Sequence, residues 1–393
     1  MPQRRIVILG AGFAGLAAMH WLRRLPFRPR PAVQVVAQRP DAVYRPDMPL
    51  AAIAGPGFVA RERIDIPRRC RELSMDFLQD TAVRIDPERQ MIELMVHPPL
   101  SYDVLFWATG LDAAWSEVPG LSAAHLAICA DYAAREASVQ LLRLREGTLA
   151  LVAGPLRDDP AARPHFATNK EPALYEVAML AAARRRQDVR AGRLRIVLVT
   201  GAEAVGQGLG PRGRRLLAKR LSALGVRVLA AEEVLSVEPG SLQLATAGRL
   251  AADLAIWTPP TRGSELARRS GLDDGYGWVP TTAFMQHTRW PNIYAMGDAV
   301  ARTQPKLGHA AMRQARVAAA HLWATEMGRP AQPEVPLVIG AWHAGGGVGL
   351  ATITDVPFGG RMEYVYVGRI ADWAKSAFGS AWRMGKGALP IMP

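Results

Sequence analysis

The chain begins with two short apolar runs that flank a helical pattern. Residues 5–9 and 33–37 are largely apolar and have the length of buried strands, and residues 13–24 carry apolar side chains at helical spacing. The helical pattern stops before Pro26, which fits the end of a helix. A strand, a helix and a strand in this order predict a βαβ unit.

The same two patterns return further along the chain. Alternating apolar residues at 81–94 predict a hairpin, and residues 102–110 predict a strand that ends in small residues. A second series then predicts strands at 149–152, 195–200, 227–230, 254–258 and 292–298, with helices at 212–224 and from 308 to about 327. We therefore predict an α/β fold with two Rossmann-like domains of the three-layer ββα/α type.

The C-terminal region adds an amphipathic helix over residues 369–386. Its apolar face comprises Ile370, Trp373, Ala374, Ala377, Phe378, Ala381 and Trp382, and its polar face Asp372, Lys375, Ser376 and Arg383. About 16 helical residues span roughly 24 Å, too short a distance to cross a bilayer. Two tryptophans on the apolar face suit a helix that lies in a membrane interface. A helix packed on its own domain or on a partner subunit remains the alternative.

The composition is that of an ordinary globular protein, with 393 residues of which 49% are apolar and 21% charged. The 48 Lys and Arg exceed the 35 Asp and Glu and give a net charge of +13. This charge suits an anionic surface such as nucleic acid or a lipid headgroup layer, but it fits an arginine-rich chain without such a partner equally well. Of these partners we expect the lipid and no nucleic acid.

The cysteine count and the apolar segments bear on where the protein works. Cys70 and Cys129 are the only cysteines and lie far apart, so the sequence contains no disulfide framework and no zinc-type spacing. The first strand starts too early to leave room for a signal peptide, and no segment approaches the roughly 18 apolar residues of a membrane-spanning helix. We expect a protein on the cytoplasmic side that neither is secreted nor spans a membrane.

Three glycines follow the first predicted strand directly and open the first helix. In a strand–turn–helix context, Gly10 makes the tight turn, Gly12 lets a diphosphate approach the backbone, and Gly15 permits close packing of helix and strand. The intervening Phe13 and Ala14 belong to the helix N-terminus, whose free N–H groups bind an anion. The sequence therefore predicts a dinucleotide site here, with an empty tight turn as the alternative.

The end of the second strand lacks the acidic residue that usually holds a ribose. Ala37, Gln38 and Arg39 stand where that acid is expected, and Gln38 is our candidate for the ribose contact. Asp41 is a more distant candidate. This departure weakens the predicted ribose contact and leaves the predicted dinucleotide site in place.

A second predicted contact, at Gly297 and Asp298, favours FAD over NAD. The flavin dinucleotide is long, and a carboxylate at the end of a second strand can hold its ribityl chain. The helix that starts near Gly308 would direct its positive end at the flavin ring. We therefore divide the chain into an FAD-binding domain (1–148 and 291–328), a second Rossmann-like domain (149–290) and a C-terminal docking region (329–393).

These motifs resemble the flavin-containing pyridine nucleotide–disulfide oxidoreductases over residues 1–325. Residues 305–315 are similar to the P-K-x-G-x-A-x-x-Q segment of sulfide:quinone oxidoreductases, flavocytochrome c sulfide dehydrogenases and type II NADH:quinone oxidoreductases. Residues 44–49 look like the stretch beside the isoalloxazine ring in those enzymes. The resemblance implies an FAD site that includes the following residues: Pro46, Thr109, Gly110, Lys306 and Gly308.

Two features favour the sulfide:quinone branch. The second loop, residues 200–210, has glycines at the wrong spacing for a nucleotide, and we expect Glu203 to place a carboxylate where the diphosphate would lie. Cys129 with its preceding Ile128 resembles a segment that holds one cysteine of that family. NADH binding is therefore not expected.

The chain departs from that family at the other two cysteine positions. Lys170 stands at the cysteine position of a segment that resembles C-x-P-x-x-Y-E, and residues 340–344 contain no cysteine. Since the family's sulfide chemistry needs a pair of thiols beside the flavin, the resemblance implies that this mechanism cannot operate. Candidate catalytic residues are Cys129, Lys170 as a cation beside reduced flavin, and His343 as a proton carrier. For each of them a purely structural role stays open.

The leading hypothesis is a peripheral-membrane flavoenzyme that passes electrons from an unnamed donor through FAD to a quinone. An NADH:quinone oxidoreductase with an atypical nucleotide loop is one alternative. A flavoprotein subunit of a larger redox complex, bound to a partner through the C-terminal helix, is the other.

Overall fold

The fold of this chain is built on two five-stranded parallel sheets. It is described here from a computed structural model that covers residues 3–55, 58, 63–122, 125–157, 165–168, 170–301 and 306–387. Pro305, the first residue of the segment compared above, lies outside the described residues.

The strands within these ranges are, in chain order, β1 (Arg5–Leu9), β2 (Ala32–Ala37), β3 (Asp41–Val43), β4 (Arg63–Asp65), β5 (Asp76–Gln79), β6 (Ala82–Asp86), β7 (Met91–Leu94), β8 (Leu100–Ser101), β9 (Val104–Trp107), β10 (Asp112–Ala113), β11 (Leu126–Ala127), β12 (Gly147–Ala153), β13 (Leu156–Arg157), β14 (Leu194–Thr200), β15 (Val226–Leu229), β16 (Val234–Glu238), β17 (Ser241–Leu244), β18 (Gly248–Ala251), β19 (Leu254–Thr258), β20 (Thr261–Arg262), β21 (Ile293–Ala295), β22 (Val338–His343), β23 (Gly349–Thr354) and β24 (Glu363–Gly368).

The helices are α1 (Phe13–Arg24), α2 (Met48–Ala54), α3 (Ile66–Glu72), α4 (Asp131–Arg143), α5 (Glu171–Arg184), α6 (Arg186–Arg190), α7 (Gly210–Ala223), α8 (Glu265–Ser270), α9 (Gly308–Glu326) and α10 (Arg369–Met384). A short 3-10 turn, Arg45–Asp47, precedes α2.

The first sheet contains the predicted N-terminal βαβ unit. Its strand order is β21-β9-β1-β2-β5, and every pair is parallel. Helices α1 and α9 pack on this sheet through small and apolar side chains such as Ala18, Met19, Ala315 and Ala318, all fully buried. Small residues let the two helices approach closely. Strand β21, which comes late in the chain, places residue 297 beside the first glycine loop.

The second sheet has the order β11-β19-β12-β14-β15 and is also parallel throughout. Its central strands are buried on both faces, as continuous apolar runs in parallel sheets are. The predicted α/β fold with two Rossmann-like units is confirmed. Leu126–Ala127 pairs within this second sheet although it precedes residue 149, so the proposed division at residue 148 does not coincide with the first strand of the sheet.

The C-terminal region forms the antiparallel sheet β22-β23-β24, and α10 packs against it. Trp382 near the end of α10 is fully buried against Phe13 and Tyr44, with ring centres 5.2 and 5.0 Å away. This contact docks the helix on the first glycine loop.

The predicted division of α10 into an apolar and a polar face is wrong at three positions. Lys375, assigned to the polar face, is only 4% exposed, whereas Ile370 and Trp373 of the apolar face are 67% and 70% exposed. The face that packs carries Ala371, Lys375, Gly379 and Trp382. The cause is that buried carboxylates pair with Lys375. Helical periodicity does not detect these tertiary contacts.

Among the described residues, no helix combines the length and apolar character needed to cross a membrane. The apolar side chains of α10 are instead divided between the docked face and the surface.

We predict that Trp382→Ala lowers the free energy of unfolding by about 3–5 kcal/mol, the usual cost of truncating a fully buried tryptophan. Urea denaturation followed by circular dichroism measures it. Trp373→Ala is the matched control on the same helix, and as a surface change it should cost less than about 0.5 kcal/mol. Equal losses in both variants would contradict the docking of α10 through Trp382.

Candidate functional site

The first glycine loop combines two close backbone approaches with one open position. Gly10 has a φ of +94°, and a Cβ there would lie 2.4 Å from the Ala108 carbonyl oxygen. A Cβ at Gly15 would lie 2.0 Å from the Gly10 carbonyl oxygen. A Cβ at Gly12 would meet no atom within 4 Å. The loop therefore leaves space in front of Gly12, where a diphosphate is expected.

In the part of the chain that the structure describes, no protein anion lies at the N-terminus of α1. Its N-cap residue is Gly12, which has no side chain to cap the helix, and its first turn contains no acidic residue. The first N–H groups of a helix have no partner within the helix, and the helix dipole makes this end positive. The end of α1 is thus suited to an external anion.

The second predicted contact lies directly beside this loop. A Cβ at Gly297 would be 3.2 Å from the Ala14 Cβ, and one at Gly308 would be 3.1 Å from the Phe13 ring. The structure therefore brings the two predicted halves of the dinucleotide site together. Helix α9 starts at Gly308, its N-cap residue Leu307 forms no side-chain hydrogen bond within the described residues, and its first turn contains no acidic residue.

Asp298 and Lys170 pair across the two Rossmann-like units. The Lys170 Nζ lies 3.5 Å from the Asp298 Oδ2, and both side chains are mostly buried. Lys170 adopts a left-handed backbone conformation, with a φ of +57°, immediately before α5. The lysine at the cysteine position is therefore held beside the carboxylate predicted to bind the ribityl chain.

The remaining predicted cofactor residues lie around this centre. Gln38 is exposed at the end of β2, Thr109 accepts a hydrogen bond from the Trp107 indole, and Gly110 has a φ of +83°. The Lys306 Nζ donates to the Val300 carbonyl oxygen and lies 4.6 Å from the centre of the Trp278 ring. Their roles in binding a cofactor stay predictions.

Cys129 does not have the features of an activated thiol. It is a free cysteine, and burial raises the pKa of its thiol, an effect that the charge of Lys170 opposes. A reactive cysteine normally has a lowered pKa. Burial likewise raises the pKa of the Cys70 thiol to about 11.

A group of buried charged side chains joins the 3-10 turn before α2, helix α5 and helix α10. The Lys375 Nζ donates to the Pro46 carbonyl oxygen at 2.7 Å, and it lies 3.4 Å from the Glu176 Oε2 and 3.9 Å from the Asp47 Oδ1. Asp47, Glu176 and Lys375 are each no more than 5% exposed. We call these three residues together with His343 and Asp372 the buried charge cluster.

His343 connects this cluster to the surface. Its Nδ1 is 2.7 Å from the Asp372 Oδ1, and its backbone N–H donates to the Glu176 Oε1 at 2.9 Å. Its Nε2 is buried without a hydrogen-bond partner among the described residues. Because Asp372 is partly exposed, the cluster extends from solvent to Pro46.

Two carboxylic acids of the cluster, Asp47 and Glu176, hold protons more tightly than free ones. Burial raises the pKa of Asp47, and the positive charges of Lys375 and Arg383 oppose the rise. Burial also raises the pKa of Glu176, again against Lys375. Sequence reasoning found His343 but missed these carboxylates and Lys375, because each is contributed by a different part of the chain.

A small chamber of about 40 Å³ lies between Lys170 and Lys306. Tyr175, Leu307 and Trp342 are among its lining residues. The Tyr175 hydroxyl is fully buried and has no hydrogen-bond partner among the described residues. The chamber therefore offers polar groups to a small molecule beside the predicted flavin site.

Two carboxylates that the sequence did not single out close the second glycine loop. The Glu171 Oε2 accepts from the Gly206 N–H at 2.6 Å, and the Glu363 Oε1 accepts from the Arg212 N–H at 2.6 Å. Sequence reasoning missed them because they come from distant elements. Glu203, the residue singled out in this loop, is exposed, and its predicted role stays a prediction.

The chain has two Rossmann-like units, and the open anion site of the first lies beside the end of β21. This arrangement defines an oxidoreductase of the class with two dinucleotide-binding folds. Residues 4–149 and 175–315 match the family model described as pyridine nucleotide-disulphide oxidoreductase. The chain belongs to this family.

Individual relatives agree with this assignment. An NADH dehydrogenase-like protein of Mycobacterium tuberculosis is 27% identical over 316 residues, which are 76% of this chain and 73% of that protein. The sulfide:quinone oxidoreductase of Aquifex aeolicus is similar in structure, with a TM-score of 0.86 at 19% identity, covering 98% of this chain and 92% of that one. NDH2 of Plasmodium falciparum gives a TM-score of 0.73 at 13% identity and covers all of both chains. The structural likenesses establish the fold.

We predict that Gly12→Ala folds normally but binds FAD at least about tenfold more weakly, a loss of about 1.4 kcal/mol. The backbone at Gly12, with a φ of −77°, accommodates alanine, and the methyl group would enter only the open space in front of the loop. The FAD-to-protein ratio after desalting and the thermal unfolding curve measure the two properties.

The contrasting variant is Gly15→Ala, which should lower the stability itself because its methyl group would collide with the Gly10 carbonyl oxygen. Retention of FAD by Gly12→Ala at the wild-type level would contradict a diphosphate site at this loop.

Proposed function

We propose that this protein is an FAD-dependent oxidoreductase that passes electrons from a donor to a quinone at a membrane surface. The observation that carries the proposal is the buried charge cluster, which extends from solvent to the carbonyl oxygen of Pro46. Quinone reduction consumes two protons together with two electrons, so the site needs a supply of protons where water is excluded.

The first Rossmann-like unit fits FAD. Gly12 and the open N-terminus of α1 would hold the diphosphate, Gln38 a ribose, Asp298 the ribityl chain, and the N-terminus of α9 the ring edge. A bound flavin supplies two-electron chemistry that no side chain of this protein can perform. Lys170, paired with Asp298, would place a positive charge beside the ring, where it favours the reduced, anionic form.

The buried charge cluster would supply protons to the quinone. Since burial raises the pKa values of Asp47 and Glu176, either acid keeps its proton to a higher pH than a surface carboxyl does. Lys375 donates at Nζ to the Pro46 carbonyl oxygen and lies between both acids. A proton given up at this end would be replaced from solvent on the side of the cluster where Asp372 is partly exposed.

An exposed apolar surface lies next to the cluster and supports membrane attachment. Tyr364 and Tyr366 of β24 are 68% and 47% exposed, and Ile370 and Trp373 follow in the first turns of α10. We call these four residues the aromatic surface. Aromatic side chains favour the interface of a bilayer, where their apolar and polar parts are both satisfied. The surface proposed here includes strand β24 and therefore differs from the helix face predicted from the sequence.

The proposed donor does not use a cysteine pair. Cys129 has a raised pKa, and Lys170 stands at a position where the resembling family has a cysteine. The relatives named NADH dehydrogenase-like favour NADH as a second candidate donor. Against it stand the carboxylates of Glu171 and Glu363 in the second loop.

We predict that the FAD-loaded protein, reduced anaerobically with dithionite, is reoxidised by a soluble short-chain quinone with one quinone consumed per flavin. Stopped-flow absorbance of the flavin measures this reaction. We also expect the protein to float with liposomes in a density gradient, and neither NADH nor sulfide to reduce its flavin.

The double variant Tyr364→Ser, Trp373→Ser is the control for location. The variant should not float with the liposomes in the density gradient, yet it should react with the soluble quinone at the wild-type rate. No reoxidation by quinones would reject the proposed acceptor. Flotation of the variant, or elution of the wild type only with a partner protein, would reject the membrane surface.

We predict that Lys375→Met slows the reaction of the reduced flavin with quinone at least about tenfold and shifts its pH dependence to higher pH. General acid groups contribute about 100-fold or more to proton-coupled steps. The charge of Lys375 holds down the pKa values of Asp47 and Glu176, so without it both acids stay protonated to higher pH. Stopped-flow reoxidation at a series of pH values provides the measurement.

Lys375→Arg keeps the charge and should preserve the pH dependence. Lys219→Met, an exposed change on α7, is the matched control for loss of a lysine. Because breaking a buried ion pair costs about 3–5 kcal/mol, folding of Lys375→Met is checked by its FAD content and unfolding curve. A folded Lys375→Met with an unchanged pH profile would contradict a role in proton supply.

A further inference from the structure

The second Rossmann-like unit has the strand, loop and helix of a dinucleotide site, but its hydrogen-bond donors are already used. We propose that Glu171 and Glu363 are specificity-determining residues that close this unit to phosphate-bearing cofactors. The inference deepens the proposed function, because it removes pyridine nucleotides from the candidate donors.

Glu363 occupies the N-terminus of α7. Its Oε1 accepts from the backbone N–H groups of Arg212 at 2.6 Å and Gly213 at 3.1 Å. It comes from β24, about 150 residues further along the chain. Gly210, with a φ of +75°, permits this approach, since a Cβ there would lie 2.6 Å from the same oxygen. The carboxylate thus occupies the position at which a helix N-terminus binds a phosphate.

Glu171 occupies the loop in front of that helix. Its Oε2 accepts from the Gly206 N–H at 2.6 Å and its Oε1 from the Thr200 hydroxyl at 2.7 Å. The side chain is only 4% exposed. An anion at this loop would have to displace the Glu171 carboxyl group from the donors that it already holds.

The place of the ribose-binding acid is closed as well. Glu232 follows β15, the second strand of this unit, and is 5% exposed. Its oxygens accept from the backbone N–H groups of Thr246 at 2.8 Å and Ala247 at 2.9 Å. An acid whose oxygens are held by a hairpin is poorly placed to bind ribose hydroxyl groups.

The first unit provides the internal comparison. Among the described residues, no side chain accepts a hydrogen bond from the first backbone N–H groups of α1, and its first turn contains no acidic residue. The same backbone arrangement is therefore open in one unit and filled by carboxylates in the other. This difference makes the first unit a cofactor site and the second a structural support.

The test is a calorimetric titration of the FAD-loaded, oxidised protein with inorganic pyrophosphate and, separately, with NADH. Loading with FAD fills the first loop, so the signal reports the second. We expect the wild type to show no saturable binding of either probe below about 1 mM. Glu363→Ala, which removes the carboxylate and leaves a space, should bind pyrophosphate at least tenfold more tightly than the wild type.

Two matched controls separate the loop from general effects of charge. Glu363→Gln fills the same space and still accepts from the two N–H groups, so it should stay closed. Glu233→Ala removes an exposed carboxylate near the start of the same loop and should also leave binding unchanged.

Saturable binding of pyrophosphate or NADH to the wild type would overturn the inference, and this measurement does not depend on how the variants fold. A folded Glu363→Ala that gains no affinity would overturn it too. Failure of quinone to reoxidise the flavin would reject the proposed function alone, since the titration involves no electron transfer.

Discussion

The buried ammonium group of Lys375 fixes the relation between the C-terminal helix and the rest of the site. It reaches the Pro46 carbonyl oxygen and lies close to the carboxylates of Asp47 and Glu176. A buried charge is costly unless its partners are in place, so α10 cannot rotate without leaving unpaired ions behind. The orientation that satisfies Lys375 also buries Trp382 and leaves Trp373 in solvent.

The two Rossmann-like units show how a common backbone plan acquires different uses. Both begin with a strand, a glycine-containing loop and a helix, and each helix presents unpaired N–H groups at its start. No carboxylate of the described residues accepts from those groups in the first unit, whereas Glu363 does so in the second. The partner of the helix N-terminus, and not the topology, therefore distinguishes the two units.

Local patterns in the sequence predicted most strands of the two parallel sheets, helices α1, α7, α9 and α10 and the first loop, because their causes lie within a few residues. Glycine is needed at positions 10 and 15 because neighbouring backbone approaches both closely. The spacing of the two glycines after the first strand is the signal for this approach in the sequence. Glu363 could not be predicted in this way, since it caps a helix about 150 residues earlier in the chain. Lys375 was placed on the wrong face because helical periodicity treats every lysine as exposed, and only tertiary contacts supply its carboxylates.

The proposed FAD-binding loop and the buried charge cluster meet at the segment around Pro46. Tyr44 lies 5.8 Å from the ring of Phe13 in the first glycine loop, while the Pro46 carbonyl oxygen accepts from Lys375. The first contact lies at the loop proposed to bind FAD, and the second belongs to the cluster proposed to supply protons. Because only one residue separates Tyr44 from Pro46 in sequence, a displacement of α10 would disturb both contacts together. The proposed FAD loop and the buried charge cluster therefore depend on the same position of α10.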